Sequence, residues 1–206
     1  MSNDGNTSDG NTSRDRALAN WDKHTAPATP CSVQTIAQRT ARFKDIPSSP
    51  RAFADTYLPG HERRLYSVIG LGVTDDPNFK PAIAAAENFH VDYITAGQGK
   101  GAALHAHDSE EVFVASRGRW EVYWLDAQVG QAEPIRCSVV LDECDVVSVP
   151  PFVMRGFKSL DGERGLLLSI LGGKHPNRVK WHSSVAQAAQ AVNVGFDDHG
   201  NALRID

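Results

Sequence analysis

Two histidines and a glutamate stand close together near the middle of the chain. His105 and His107 are two residues apart, so on a β-strand both imidazoles leave the same face. Glu111 follows a segment containing Ser109, where a turn can bring the carboxylate back towards the rings. Two histidines with one carboxylate leave coordination positions open, as in non-haem Fe(II) oxygenases. We therefore predict a divalent metal site of His105, His107 and Glu111, with Fe(II) as the first candidate and Zn also acceptable.

Short runs rich in β-branched and aromatic residues surround this site, and Gly, Pro, Asp and Lys clusters separate them. Seven such runs are predicted strands: Leu65–Val73, Phe89–Ala96, Glu111–Ala115, Trp120–Leu125, Ile135–Leu141, Val146–Val149 and Leu166–Leu171. Parallel crossovers need a dozen or more residues between strands, usually with a helix; three of the six gaps are shorter, and almost no helical pattern lies between these runs. The pattern predicts an all-β fold, a small antiparallel β-barrel with short flanking helices.

Helical patterns occur only outside the predicted barrel. Val33 to Phe43 has helical spacing after an N-cap at Ser32, and a second amphipathic helix starts near Ser183 or Ser184 and stops by Asn193 to Gly195. Asp197 to Asn201 has the composition of a turn. The predicted organisation is a disordered tail at 1–30, a helix and extended connection at 31–64, the barrel at 65–172, and an appended helix and turn at 173–206.

Composition narrows the possible partners and the compartment. The 206 residues carry a formal net charge of −4, which lacks the basic field that nucleic acid or anionic lipid would require. The N-terminus has neither a basic start nor an apolar stretch, so we expect no membrane association and a cytoplasmic protein. The three cysteines form no CxxC pair and are predicted free thiols, with Cys144 a small buried hydrophobe.

The metal-site segment resembles the first motif of the cupin superfamily. That motif is glycine, five residues, His-any-His, three residues, glutamate, six residues and glycine. Gly99, His105, His107, Glu111 and Gly118 match it without a gap. The resemblance implies a cupin barrel, also called a double-stranded β-helix jelly roll, with the metal held inside its mouth. Barrels of this family commonly dimerise, so a homodimer is expected by analogy.

The second cupin motif is degenerate in this chain. When its proline is aligned on Pro150, Cys144 and Phe152 stand where the family has glycines, and Ser159 stands for an asparagine. Arg155 occupies the position of the last metal-binding histidine. A guanidinium has only donors and stays protonated in proteins, so Arg155 is no ligand. His90, on the preceding strand, is a weaker candidate for the missing ligand than for a packing residue.

A buried arginine at this position requires an anionic partner. The sequence allows two such partners, a substrate carboxylate or Glu111. With a divalent metal, His105, His107 and ionised Glu111 carry a net charge of +1, which Arg155 raises to +2. Arg155 is then predicted to act in catalysis by anchoring the carboxylate of an anionic substrate. Without metal, Glu111 and Arg155 cancel and could form a structural salt bridge.

The leading hypothesis is therefore a mononuclear Fe(II) dioxygenase of the cupin type, acting on a small carboxylate-bearing compound of aromatic or enolic character. One alternative keeps the ligands but holds Zn, Mn or Ni as a Lewis acid in a non-redox isomerase, lyase or decarboxylase. The other is a catalytically inactive binding or sensing protein in which Glu111 and Arg155 pair. The degenerate second motif favours this last alternative.

Overall fold

A computed structural model describes residues 21, 24–70, 73–127, 133–173 and 178–205. Most of the predicted tail, 1–20 and 22–23, lies outside the described residues. The first helix, α1, spans Val33–Gln38, and the Ser32 hydroxyl caps it by accepting from the Thr35 amide at 3.0 Å. The helix is shorter than predicted, because Phe43 belongs to a separate 3₁₀ turn and stacks on Tyr66 at 5.2 Å. None of the α1 residues is buried, contrary to the packed helix that we predicted.

Thirteen strands form the rest of the described fold together with one further helix. In chain order they are β1 (Ser48–Ser49), β2 (Arg63–Ile69), β3 (Phe89–Ala96), β4 (His105–Ala106), β5 (Glu111–Arg117), β6 (Trp120–Asp126), β7 (Ile135–Leu141), β8 (Val146–Val149), β9 (Arg155–Ser159), β10 (Leu166–Gly172), β11 (Lys180–Trp181), β12 (Val194–Phe196) and β13 (Ala202–Arg204). Helix α2 spans Ser183–Ala191, and 3₁₀ turns occupy Phe43–Asp45, Ala54–Tyr57 and Gly162–Arg164. The all-β prediction is confirmed.

Two antiparallel sheets build the barrel. One has the order β1-β2-β3-β10-β5-β8 and the other the order β11-β4-β9-β6-β7. Inward-facing side chains of both sheets share one apolar cluster, which includes Phe113 from the first sheet and Trp120 and Phe157 from the second. The Phe113 and Phe157 rings meet edge to face at 5.3 Å between centroids. Burial of these aromatics joins the two sheets.

The sequence pattern finds the seven long strands but misses β9. Arg155–Ser159 contains a glycine, a lysine and an arginine and has no β-branched residue, so propensity gives no strand signal there. Its register is fixed instead by β6, where Tyr123 pairs with Gly156. Helix α2 begins at Ser183 as predicted, and Val185 and Ala189 are its buried residues. The predicted turn at Asp197 connects β12 to β13.

Two residues at the glycine positions of the second motif have the left-handed backbone conformation that favours glycine. Cys144 has φ 74° and Phe152 has φ 64°, both in the left-handed region, so the alignment on Pro150 describes the backbone correctly. In the first motif, Gly99 and Gly118 also have positive φ, at 74° and 72°. A side chain in this region costs about 1–2 kcal/mol. Cys144 is exposed, so the prediction of a buried hydrophobe is wrong; all three cysteines are free, as predicted.

Cys144→Gly is therefore expected to raise the free energy of unfolding by about 1 kcal/mol, because glycine adopts positive φ without a steric penalty. Urea titration monitored by circular dichroism measures the change. Cys144→Ala is the matched control, since it removes the thiol and keeps the Cβ that causes the strain. An equal gain in both variants would assign the effect to the thiol and contradict this account.

Candidate metal centre

The structure brings His105, His107 and Glu111 together between the two sheets. His105 belongs to β4 of one sheet, and Glu111 is the first residue of β5 in the other, so the chain crosses between sheets within this segment. All three side chains are buried. One potential ligand atom from each lies within 4.8 Å of the others. The convergence that the sequence spacing predicted is thus present in the fold.

A backbone carbonyl orients the His105 ring. Its Nδ1 lies 2.7 Å from the Ala103 carbonyl oxygen, which can only accept, so Nδ1 carries the proton and Nε2 keeps its lone pair. Ligating histidines characteristically donate their second N–H to such a partner. Burial lowers the pKa of His105 well below its ordinary value, with the Arg155 charge adding to the effect, and burial lowers the pKa of His107 to about 4. Both rings are therefore neutral near pH 7.

Glu111 is held ionised by the groups around it. Its Oε2 accepts from Arg155 Nε at 3.0 Å and Nη2 at 2.5 Å, and its Oε1 accepts from the Ser169 hydroxyl at 2.7 Å. Burial raises the pKa of Glu111, but the charge of Arg155, the neighbouring His107 ring and these hydrogen bonds outweigh burial, and the pKa lies below its ordinary value. Two neutral imidazoles beside a carboxylate are the protonation state in which a divalent cation binds.

The hydrogen bonds of Glu111 leave room for a metal. A carboxylate offers about four lone-pair sites, of which Arg155 occupies two on Oε2 and Ser169 occupies one on Oε1. The remaining site is on Oε1, whereas the Glu111 oxygen that lies 3.9 Å from His107 Nε2 is Oε2. By this count the salt bridge leaves Glu111 one lone pair for a metal. The residues present fit a divalent metal.

Arg155 lies against Glu111 and has no exposed surface. Its Nε and Nη2 bond the Glu111 carboxylate, and its Nη1 lies 3.3 Å from the Val153 carbonyl oxygen. The anchoring role predicted from sequence requires these groups to face a substrate, whereas the fold directs them to Glu111. A cation removed from water takes the nearest anion. The geometry shows the Glu111–Arg155 ion pair of the third hypothesis and supports a positioning role for Arg155, while substrate anchoring by Arg155 stays a prediction.

A cavity of about 410 Å³, counted out to its mouth, lies beside the three side chains. Sequence analysis missed several of its polar wall residues, namely Arg63, Asp92, Ser169 and Trp181. Asp92 had a signal, since it shares the inward parity of β3 with Ile94 and a polar residue in core register needs a reason. Burial raises the pKa of Asp92 to about 7, and the Glu111 charge adds to this, against hydrogen bonds from Ser67 and Val68.

His90 is buried but stands apart from the cluster. Its ring packs on Gly70, where an added Cβ would come 2.1 Å from His90 Nδ1. Among the residues that the structure describes, the group of potential ligands holds His105, His107 and Glu111 without His90. The interpretation of His90 as a packing residue agrees with this placement.

The chain combines three features: two facing antiparallel sheets, a complete first motif, and a His/His/Glu cluster between the sheets. The chain has the two-sheet antiparallel β-barrel that the cupin resemblance predicted. In this cupin barrel Arg155 stands directly opposite His105 in the pairing of β9 with β4, as expected for the position of the second-motif histidine. Arg155 therefore places a guanidinium cation at the position where the second cupin motif has a metal-binding histidine.

Comparisons with known proteins find distant structural likenesses alone. No known family profile matches the chain, and no curated protein matches it. A solved RmlC-like cupin from Shewanella frigidimarina is 16% identical, with a TM-score of 0.43 over 65% of this chain and 88% of the other. A cupin-2 domain from Rhodospirillum rubrum is 12% identical, with a TM-score of 0.48 over 77% and 87%. Of the helices that the structure describes, none has the length and hydropathy needed to cross a bilayer.

Proposed function

We propose that this cupin is a mononuclear, metal-dependent enzyme in which His105, His107 and Glu111 hold Fe(II), and that it is a dioxygenase of a small carboxylate-bearing compound. The observation that carries the proposal is the meeting of three buried donors from both sheets, with the His105 tautomer fixed by Ala103. Three protein ligands of this type leave coordination positions open. When bound, Fe(II) supplies redox chemistry towards dioxygen and attraction for an anionic substrate.

The protein groups have separate tasks in this proposal. Ala103 and Ser169 orient His105 and Glu111 through hydrogen bonds at 2.7 Å. Arg155 keeps Glu111 ionised and cancels its charge, so a divalent metal leaves the centre with a net charge of +2. That charge favours a carboxylate ligand. The apolar wall, which includes Phe53, Val179 and Phe157, limits access of water to the cavity.

Metal analysis of protein purified without chelator tests the proposal. We expect about one transition-metal ion per chain, and we expect Fe(II)-reconstituted protein to consume dioxygen when its substrate is present. Metal content near zero after reconstitution would contradict the metal-dependent function. Metal bound with turnover but without oxygen uptake would contradict the dioxygenase and favour the non-redox isomerase, lyase or decarboxylase.

The Glu111–Arg155 ion pair favours a second candidate, a small-molecule binding protein without catalysis. In that case the pair is a structural element and the cavity binds an organic acid directly. Thermal melting separates the two functions, because only a ligand that binds the native state raises its melting temperature. Stabilisation by Fe(II) or Mn(II) alone supports the enzyme, whereas stabilisation by organic acids in the presence of EDTA supports the binding protein.

A further inference from the structure

The walls of the cavity contain buried polar atoms without a hydrogen-bond partner among the described residues. These atoms are Asp92 Oδ1, His107 Nδ1 and Trp181 Nε1, and all three residues line the same cavity. Leaving a buried donor or acceptor unsatisfied costs about 1–3 kcal/mol, so native proteins contain few such groups. Three such atoms belong to residues around one cavity beside the candidate metal centre. This clustering indicates that a bound ligand forms their hydrogen bonds.

Asp92 presents an acceptor that the neighbouring strands leave unused. Its partners in register are Ser67 on β2 and Ser169 on β10. Ser67 bonds the Asp92 carboxyl, but the Ser169 hydroxyl donates to Glu111 Oε1 instead. Oδ1 of Asp92 is therefore left without a partner among the described residues, and the residue, which lines the cavity, is only 6% exposed. When the Asp92 carboxyl is ionised, a ligand atom that meets Oδ1 must be a donor.

Trp181 presents a donor from the other sheet. It lies opposite His105 in the pairing of β11 with β4, and the two rings are 5.6 Å apart between centroids. The indole N–H can only donate, and the part of the chain that the structure describes offers it no acceptor. A ligand atom that meets Trp181 Nε1 must therefore be an acceptor, placed close to the predicted metal ligand His105.

The net charge of the metal centre decides which kind of ligand group, an ammonium or a neutral hydroxyl, donates to Asp92. With a divalent metal the ligands and Arg155 sum to +2, and ionisation of Asp92 lowers this only to +1. Arg63 adds no net charge, because it pairs with buried Asp55 at 2.8 Å. An ammonium group would meet a positive site, so the donor for Asp92 is a neutral hydroxyl. The acceptor for Trp181 is a carboxylate oxygen, which the positive site attracts.

We propose that Asp92 and Trp181 are the substrate-recognition residues of this centre and that the substrate is a small hydroxycarboxylate. Its hydroxyl donates to Asp92 Oδ1, and one carboxylate oxygen accepts from Trp181 Nε1. This inference rests on the proposed function, since it uses the charge of the loaded metal. The hydroxyl is aliphatic, enolic or phenolic, and the narrowness of the cavity restricts the compound to a small one.

Lactate and propionate, which differ only in the 2-hydroxyl, test the inference by isothermal titration on Mn(II)-loaded full-length protein. We expect the wild type to prefer lactate at least about fivefold, which corresponds to one satisfied hydrogen bond. Asp92→Leu should abolish this preference and leave the Kd of propionate within about twofold. Trp181→Phe should weaken both acids by similar factors and leave the preference intact. Asp92→Asn, which keeps an acceptor, should retain part of the preference.

The outcomes separate the two proposals. Wild-type protein that takes up no Mn(II) overturns the proposed function and this inference with it. If both proteins bind Mn(II) normally and Asp92→Leu keeps the wild-type preference for lactate, only the Asp92 assignment is overturned. The lactate hydroxyl then binds the metal instead of Asp92. Unchanged affinities in Trp181→Phe overturn the Trp181 assignment. If Asp92→Leu fails to fold, Asp92→Asn and Trp181→Phe still test the inference. Unchanged Kd values for lactate and for propionate in both of these variants would contradict substrate recognition by Asp92 and Trp181.

Discussion

Arg155→Leu is expected to lower the free energy of unfolding by about 3–5 kcal/mol at pH 7, because it leaves the Glu111 carboxylate buried without its counter-ion. Arg155 is 0% exposed and makes two hydrogen bonds to Glu111, so water cannot replace it. Metal affinity should fall as well, since the Glu111 proton then competes with the metal. Denaturant unfolding of the metal-free protein measures the first effect, and competition with a chelator measures the second.

The pH dependence of this loss has a defined sign. In the wild type the pKa of Glu111 lies below its unfolded value, so the ion pair contributes stability above that value, and the contribution is lost as pH falls through the folded pKa. Without Arg155, burial raises the pKa of Glu111 above the unfolded value. The difference in stability between wild type and Arg155→Leu should therefore be largest near pH 8 and shrink towards pH 4.

Two controls make this prediction specific. The double variant Glu111→Gln with Arg155→Leu removes both charges and should recover at least half of the loss. Arg119→Leu breaks a comparable Arg–Asp pair with Asp161 on the surface and should change stability little. Full stability of Arg155→Leu together with a raised KM alone would contradict the positioning role and restore the anchoring role predicted from sequence.

Replacing His105 or His107 by alanine is expected to reduce metal affinity by more than about 100-fold, since loss of even an outer-shell partner of a ligand costs about 10–100-fold. Metal content after dialysis against a weak chelator measures the effect. His107 Nδ1 has no hydrogen-bond partner, so His107→Ala should cost the metal-free protein little beyond the packing of its ring. Loss of metal is thereby separable from loss of fold.

His199→Ala serves as the control for these variants, because His199 is exposed in the turn between β12 and β13. It should bind metal as the wild type does. Equal metal content in His105→Ala, His107→Ala and His199→Ala would exclude the centre described above, whichever metal is bound.

The sequence predicted the candidate centre because its parts are local. His105, His107 and Glu111 lie within one short segment, where strand alternation and a single bend decide whether the side chains converge. The first-motif glycines Gly99 and Gly118 likewise mark positions where the chain needs positive φ. The alternation of buried and more exposed positions along β3 places Asp92 on the inward face. A strand pattern alone does not identify the groups that an inward carboxylate contacts.

Residue types and local periodicity determined the all-β fold, the long strands and the three converging donors. The tertiary structure alone decided that Arg155 pairs with Glu111, that β9 exists without strand propensity, and that Trp181 of the C-terminal segment returns to the cavity beside His105. The reason is physical. Partners distant in sequence are chosen by sheet register and by which charges leave water together, and neither is encoded in the spacing of neighbouring residues.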